Sequence, residues 1–373
     1  MPSLKCVTIQ GFKSIRNLEH FDLRPLNILI GGNGAGKSNF IDFFRMVRAM
    51  MALPIPKLPH ASLHAYIADG GGSDDFLFLG SGTTDAIHIE MSFGLHKYRF
   101  SLAPTVDESF LIHDEARFYD GGTSGWCALG SGNKTPALLN DKEQAGALGG
   151  KNISQYIFEA IASWKIYHFH DTGKLSPMRR SESIDDIAYL RFDGANIAPY
   201  LMALSQENKA CYQHIIDTIR LVTPFFDNFV FRVTPQDKVR LNWVQKGSDY
   251  PLKPQHFSDG TLRFIGLVTA LLQPQPPTTL ILDEPELGLH PYAIEILAEL
   301  LEAASRRMQI IVSTQSPALV DCFSPKDIVV VNRKDGASTF QHLDEDKLRL
   351  WLNDYTLGDL WRKNIAVAEP SYE

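Results

Sequence analysis

Residues 31–38 read GGNGAGKS, directly after the apolar run Leu26-Asn27-Ile28-Leu29-Ile30 and before Asn39-Phe40-Ile41-Asp42-Phe43-Phe44, whose spacing is helical. The order predicts a buried strand, a glycine-rich turn and a helix. Gly31, Gly34 and Gly36 are expected to take positive φ and turn their N–H groups inward as a concave anion nest. The helix starting near Lys37 adds its positive end. In such a loop the Lys37 amine reaches the β- and γ-phosphates, and the Ser38 hydroxyl can ligate Mg²⁺. A glycine turn alone would be a weak signal. The whole octapeptide between strand and helix predicts binding of a nucleoside triphosphate.

Length and composition set the frame around this loop. A chain of 373 residues with 44% hydrophobic and 21% charged residues can bury a sizeable core, as about two domains or one large domain with insertions. No apolar stretch approaches the roughly 18 residues that would span a bilayer. Met1-Pro2-Ser3-Leu4-Lys5 lacks the apolar core of a signal peptide, so the expectation is a cytoplasmic protein with no membrane partner. Cys6, Cys127, Cys211 and Cys322 are scattered without a CxxC pair. That fits reduced thiols better than a disulfide framework or a zinc site. The net charge of −7 argues against nonspecific nucleic-acid binding over the whole surface, though it leaves room for a local basic stripe.

Pattern divides the chain into three expected units: residues 1–172, 173–272 and 273–373. In the first, strands near 6–10 and 20–23 precede the phosphate loop, and a Pro54, Pro56, Pro59 break follows its helix. Period-two runs at 86–93, 98–102 and 110–119 predict an antiparallel meander. Residues 120–151 read as a loop excursion, and a strand over 164–169 ends at His170-Asp171-Thr172. The second unit is mainly helical (196–204, 212–222), interrupted by strands near 229–233 and 239–244. The last returns to α/β: strand 279–282, helix 293–304, strands 309–313 and 328–332, then a helical tail.

Two further motifs lie in the second half. Residues 279–291 read TLILDEPELGLHP, an apolar strand delivering Asp283 at its carboxyl end, where open α/β sheets bind ligands. A carboxylate there can enter a Mg²⁺ shell, and adjacent Glu284 is placed to take a proton from an attacking water. In isolation the stretch would equally be a strand ending in an acidic helix cap. Upstream, Phe257-Ser258-Asp259-Gly260-Thr261-Leu262-Arg263 opens an apolar helix. It is either a second anion-binding turn or a simple N-cap through Ser258 or Asp259.

Taken in order, phosphate loop, Ser-x-Gly turn and DEPELGLHP resemble the ATP-binding-cassette ATPases. Specifically, the chain is similar to the branch of RecF, SMC and OLD-type proteins and their short bacterial AAA-type relatives. The opening Ile9-Gln10-Gly11-Phe12-Lys13-Ser14-Ile15-Arg16 is similar to that branch too. The resemblance covers most of the chain. It implies an α/β fold of the P-loop NTPase kind, with a mixed, mostly parallel core sheet, an antiparallel β subdomain and a helical signature lobe. It also implies a head-to-tail homodimer that sandwiches two ATP molecules with Mg²⁺. Gly32, Asn33, Gly34, Gly36, Lys37, Ser38 and Asn39 would hold ATP in cis, while Ser258, Asp259 and Gly260 would cap the γ-phosphate in trans. Ser38 and Asp283 would hold Mg²⁺, Glu284 would be the base, and the 287–290 loop would cross the interface.

Two positions depart from the family pattern. Gln315 stands where a histidine is usual; its amide can hydrogen-bond a γ-phosphate but carries no charge, which predicts slow, switch-like hydrolysis. The lesser alternative is a polar residue ending a buried strand. No glutamine loop is evident, and His170 or Asp171 would stand in for it. His168 and His170 share a strand face without an acidic or cysteine partner, so a metal there is not expected. Arg179-Arg180 and Arg306-Arg307 read as solvated charges, the first pair with a possible role on nucleic acid. The leading expectation is an ATPase that senses or regulates a separate effector chain, plausibly a nuclease in phage defence. The alternatives are a RecF-like ATPase that clamps DNA and, with less support from DEPELGLHP, the nucleotide-binding subunit of a transporter.

Overall fold

The computed structural model describes residues 3–52, 62–122, 125–144, 146, 150–349 and 351–363. The predicted Pro54, Pro56, Pro59 break lies outside these residues, as do parts of the 120–151 excursion and the end of the predicted tail.

The chain opens with the hairpin β1 (Cys6–Phe12) and β2 (Ile15–Asp22), then β3 (Leu26–Ile30), in which every residue is buried. The phosphate-loop residues lead into α1 (Lys37–Met50), followed by α2 (Leu63–Asp69) and the strands β4 (Ile87–Phe93), β5 (His96–Pro104), β6 (Phe110–Tyr119) and β7 (Cys127–Gly130). Next come α3 (Leu138–Asp141), α4 (Ile153–Ala162) and β8 (Lys165–Tyr167). The middle of the chain contributes β9 (Glu182–Ser183), α5 (Ile197–Glu207), α6 (Lys209–Val222), β10 (Phe226–Val230), β11 (Lys238–Val239), β12 (Asn242–Gln245) and α7 (Asp259–Leu272). The remainder is β13 (Thr279–Asp283), α8 (Pro291–Ser305), β14 (Gln309–Thr314), α9 (Pro317–Val320), the hairpin β15 (Ile328–Lys334) and β16 (Ala337–His342), α10 (Glu345–Leu348) and α11 (Leu357–Arg362).

Two six-stranded sheets result. One is antiparallel, in the order β2-β1-β4-β5-β6-β7, and contains the predicted meander. The other runs β16-β15-β3-β14-β13-β8, with all pairs parallel except the β15–β16 hairpin. Its central strands are continuous apolar runs because both faces are covered. Leu280, Leu282, Ile310 and Val312 join a core with α5, α6, α7 and α8, whereas Ile281 and Ile311 join a core with α1, α4 and the antiparallel sheet. Asn27, the one polar residue of β3, is fully buried and satisfied: it exchanges hydrogen bonds with the Arg24 backbone (2.9 and 2.6 Å) and donates to the Ile310 carbonyl at 3.2 Å. The expected α/β fold of the P-loop kind is therefore present.

Three differences from the sequence reading have local causes. Helix α4 begins where Asn152 accepts from the Gln155 N–H at 2.7 Å; the preceding glycines mask this start. The strand expected over 239–244 is broken into β11 and β12, which pair with β9 and β10 respectively. Strand β16 replaces part of the expected helical tail, pairing with β15 over six residue pairs from His342 to Ala337. No helix of the described residues is long and apolar enough to cross a membrane.

Candidate functional site

The loop after β3 owes its shape to two kinds of glycine. Gly34 (φ 76°) and Gly36 (φ 113°) occupy the left-handed region, as expected. Gly31 does not. It is needed because a Cβ there would sit 2.1 Å from the Val331 carbonyl oxygen on β15. A Cβ on Gly36 would also strike Ser338 Oγ at 2.0 Å, so β16 forms the floor of the loop. Ser338 donates to the Ala35 carbonyl at 2.6 Å and lies 2.6 Å from Ser14 Oγ. Asn39, expected among the nucleotide-binding residues, donates its amide to Ser14 Oγ at 2.7 Å. The first turn of α1 has neither a side-chain cap nor an acidic residue, which leaves its orphan N–H groups and positive end open to an anion.

Lys37 lies at 6% exposure, and its Nζ donates to the Gly31 and Gly32 carbonyls at 2.6 and 3.1 Å. Burial pushes its pKa down, opposed by the negative charges of Glu284, Asp283 and Glu286. Asn33, Gly34 and Ser38 are exposed at the mouth of the loop, and Gly32 is half-buried. A buried ammonium, an uncapped helix start and a cradle that a Cβ would fill form a fit for the phosphates of a nucleotide.

Across the sheet, β14 runs between β3 and β13 and sets the opposing group. Asp283 accepts a hydrogen bond from the Ser313 hydroxyl. Glu284 takes φ 42° while its N–H donates to the Ser313 carbonyl at 2.9 Å. A non-glycine residue held there costs about 1–3 kcal/mol and is a feature that clusters at functional sites. Gln315 donates its amide N–H to Glu284 Oε1. Glu286, absent from the sequence reading, is 6% exposed and accepts from the Thr314 hydroxyl, while its second oxygen has no hydrogen-bond partner among the described residues. Burial raises its pKa. The signal that could have found it is the polar triplet Ser313-Thr314-Gln315 ending an otherwise apolar strand.

His170, one of the two residues expected in place of a glutamine loop, donates Nε2–H to the Asp283 carbonyl at 2.7 Å. The other, Asp171, is exposed and accepts from the Gly173 N–H at 3.3 Å within its own turn. His168 stacks on His170 with ring centroids 4.1 Å apart. Among the described residues no group of three or more His, Cys, Asp or Glu side chains is placed to hold a metal ion. A Mg²⁺ here would use the pattern of one carboxylate and a hydroxyl completed by substrate phosphates.

Ser258 is the N-cap of α7, accepting from the Thr261 N–H at 3.1 Å. Ser258 and Asp259 are nevertheless exposed. Gly260 allows close approach of the 287–290 loop, since a Cβ would lie 2.3 Å from the Gly288 carbonyl oxygen. Arg179 corrects the sequence reading: it is 5% exposed rather than solvated. It donates to the Thr172, Gly173, Pro254 and Phe257 carbonyls and pairs with Asp259 at 2.8 Å. Arg263 ties the same helix to the Phe169 and His170 carbonyls at 2.9 and 3.1 Å.

A family model described as "AAA domain, putative AbiEii toxin, Type IV TA system" matches residues 26–321, a span running from β3 past Gln315. The chain belongs to this AAA family. No protein of curated function matches its sequence. Among solved structures, an SMC head bound to the C-terminal winged-helix domain of ScpA shares 17% identity, with 94% of this chain and 100% of that chain covered and a TM-score of 0.54. A second SMC head, with an extended coiled coil and bound to the C-terminal domain of ScpA, derived from Pyrococcus furiosus, shares 16% identity over 95% and 99% of the two chains, with a TM-score of 0.54. At these identities the likeness is one of fold. The fold of this AAA chain is thus similar to that of SMC head domains.

The buried ammonium has a measurable consequence for stability. Because the Lys37 pKa is lowered in the folded state, the unfolded chain binds more protons at that amine as pH approaches the lysine range from below. The cost of burying the charge, fully present at lower pH, is therefore lifted as pH rises through that window, and stability at this group is unpenalised above it. Lys37→Met removes the buried charge. The nucleotide-free variant should be at least as stable as the parent at neutral pH in urea unfolding, with a flatter alkaline profile. A large loss of stability would show that Lys37 is a structural rather than a ligand-directed charge.

Proposed function

We propose that the chain binds ATP with Mg²⁺ and hydrolyses it slowly, as an ATP-dependent head-to-tail homodimer that senses or regulates a separate effector chain. The observation carrying this reading is the meeting, at one edge of the parallel sheet, of the Lys37 ammonium with the Asp283, Glu284 and Glu286 carboxylates. A cation folded onto its own loop carbonyls is available to exchange them for phosphate oxygens. Ser38 and Asp283 would hold Mg²⁺, which neutralises phosphate charge when bound. Glu284, aimed by its left-handed backbone, is the base for the attacking water.

Gln315 supports the slow character of this reaction. Its amide donates to one oxygen of the Glu284 carboxylate, which makes that oxygen less basic, and a neutral amide adds no positive charge toward the transferring phosphoryl group. The dimer reading rests on exposure. Ser258 and Asp259 face outward beside the 287–290 loop, and Leu287 and Tyr292 present large apolar side chains there. In this reading residues 1–172 and 273–373 form the nucleotide lobe and 173–272 the signature lobe. The toxin and type IV toxin–antitoxin wording of the family description supports a role with a second chain; in this reading that chain is an effector such as a nuclease, acting in cytoplasmic defence.

Glu284→Gln should keep ATP binding, slow turnover by about 10²–10⁴-fold and accumulate an ATP-dependent dimer on size exclusion. Turnover at the parent rate would remove Glu284 as the base. The dimer is tested by mixing two inactive variants, Lys37→Ala and Ser258→Arg. The mixed dimer combines both lesions in one composite site and leaves the other intact, so activity should partly return. Loss of ATP binding by the Ser258→Arg monomer alone would place the turn in its own subunit's site and refute the head-to-tail arrangement.

A further inference from the structure

At the opposite end of the parallel sheet, where β3, β8, β13 and β14 begin, lies a cavity of about 960 Å³, within the range of small-molecule sites. It is separated from the Asp283 edge by the five residues of β13, about 16 Å at the strand rise of roughly 3.3 Å per residue. Its charged lining is three cations, Lys165, Arg306 and Arg307, against one carboxylate, Glu207. On a chain whose net charge is −7, this positive excess is local.

The cations differ in how far they are already committed. Arg307 donates to the Leu271 carbonyl at 2.8 Å, at the end of α7. Arg306 is exposed at the end of α8, where a cation also offsets the helix's negative end. Lys165 is half-buried with no carboxylate partner among the described residues, and its Nζ lies 4.1 Å from the Tyr189 ring centroid. Behind it, Arg48 donates to the Trp164 carbonyl at 2.6 Å. Burial and the repulsion of Arg48 push the Lys165 amine down to about 8. Tyr189 is exposed and Tyr200 is buried at the cavity wall, giving flat apolar surfaces beside the cations. An uncompensated, partly desolvated ammonium is costly to keep unless an anion answers it.

We propose that this cavity is a second ligand site, taking a phosphate monoester attached to a flat ring, with Arg306 holding the phosphate, the Lys165 amine lying beside the ring, and Tyr189 and Tyr200 packing on the ring. The net lining charge of +2 that follows from three cations and one carboxylate matches the roughly −1.5 to −2 of a phosphate monoester at neutral pH. The site stands apart from the phosphate loop and does not depend on the ATPase reading.

Pyridoxal 5′-phosphate serves as the probe because it carries a ring, a phosphate and an aldehyde that reports on the amine. Its aldehyde condenses with the unprotonated Lys165 amine, releasing water, and borohydride reduces the imine to a secondary amine that peptide mapping separates from Lys37. At pH near 8, labelling of Lys165 should saturate with probe concentration and be blocked by pyridoxine 5′-phosphate but not by pyridoxine. In Arg306→Ala the apparent affinity should fall by up to about fivefold, the scale of a charge contact at an exposed site. The competition arm uses the unaltered protein, so it stands whatever the variant does to folding. Labelling that rises linearly with probe, that pyridoxine blocks equally, or that Arg306→Ala leaves unchanged would overturn the site and leave only a reactive amine.

Discussion

Burial of the parallel sheet on both faces is the constraint from which the rest follows. Strands β3, β13 and β14 cannot place charge along their length, because Leu280, Ile281, Leu282 and Ile310, Ile311, Val312 all enter one core or the other. Polar chemistry is thereby confined to the strand ends. At the carboxyl ends it concentrates into one ammonium, Lys37, near three carboxylates. At the amino ends it leaves a cavity in which the balance is reversed. One edge of the sheet thus sets a cation among carboxylates, and the other sets three cations against one carboxylate.

The carboxyl edge is held by backbone geometry as much as by charge. Gly36 and Glu284 both sit at positive φ, on neighbouring sides of β14. Ser338 leaves no room for a Cβ at Gly36, and Glu284 is held by hydrogen bonding to Ser313 and Gln315. Rigid surroundings of this kind let strain persist at a site instead of relaxing it. Arg179 extends the same logic to the signature turn. By collecting the carbonyls of two separate segments and the Asp259 carboxylate, it couples that turn to the segment that carries His170.

Much of this was legible in the chain because it is local. An octapeptide between a strand and a helix, and an apolar strand ending in Asp283-Glu284, declare themselves over a dozen residues. What stayed hidden depends on distant contacts. Ser338 meets Ser14 across 324 residues of sequence, so neither the floor of the phosphate loop nor the reason for Gly31 could be read from its neighbourhood. Arg179 looks like a surface charge beside Arg180 because its carbonyl partners at Pro254 and Phe257 are more than seventy residues away. That His170 and not Asp171 lies against the Asp283 carbonyl required knowing that β8 pairs with β13. Helix α4 and strand β16 were missed for a different reason: each is short and follows or contains polar and glycine-rich sequence that weakens its periodicity.

The central claim is that the Lys37 ammonium is kept buried for a nucleotide's phosphates. Calorimetric titration of ATP with Mg²⁺ into the parent protein and into Lys37→Ala tests it directly. The account predicts a saturable isotherm for the parent and its loss in a variant that remains folded. Equal affinity in the two proteins would contradict it.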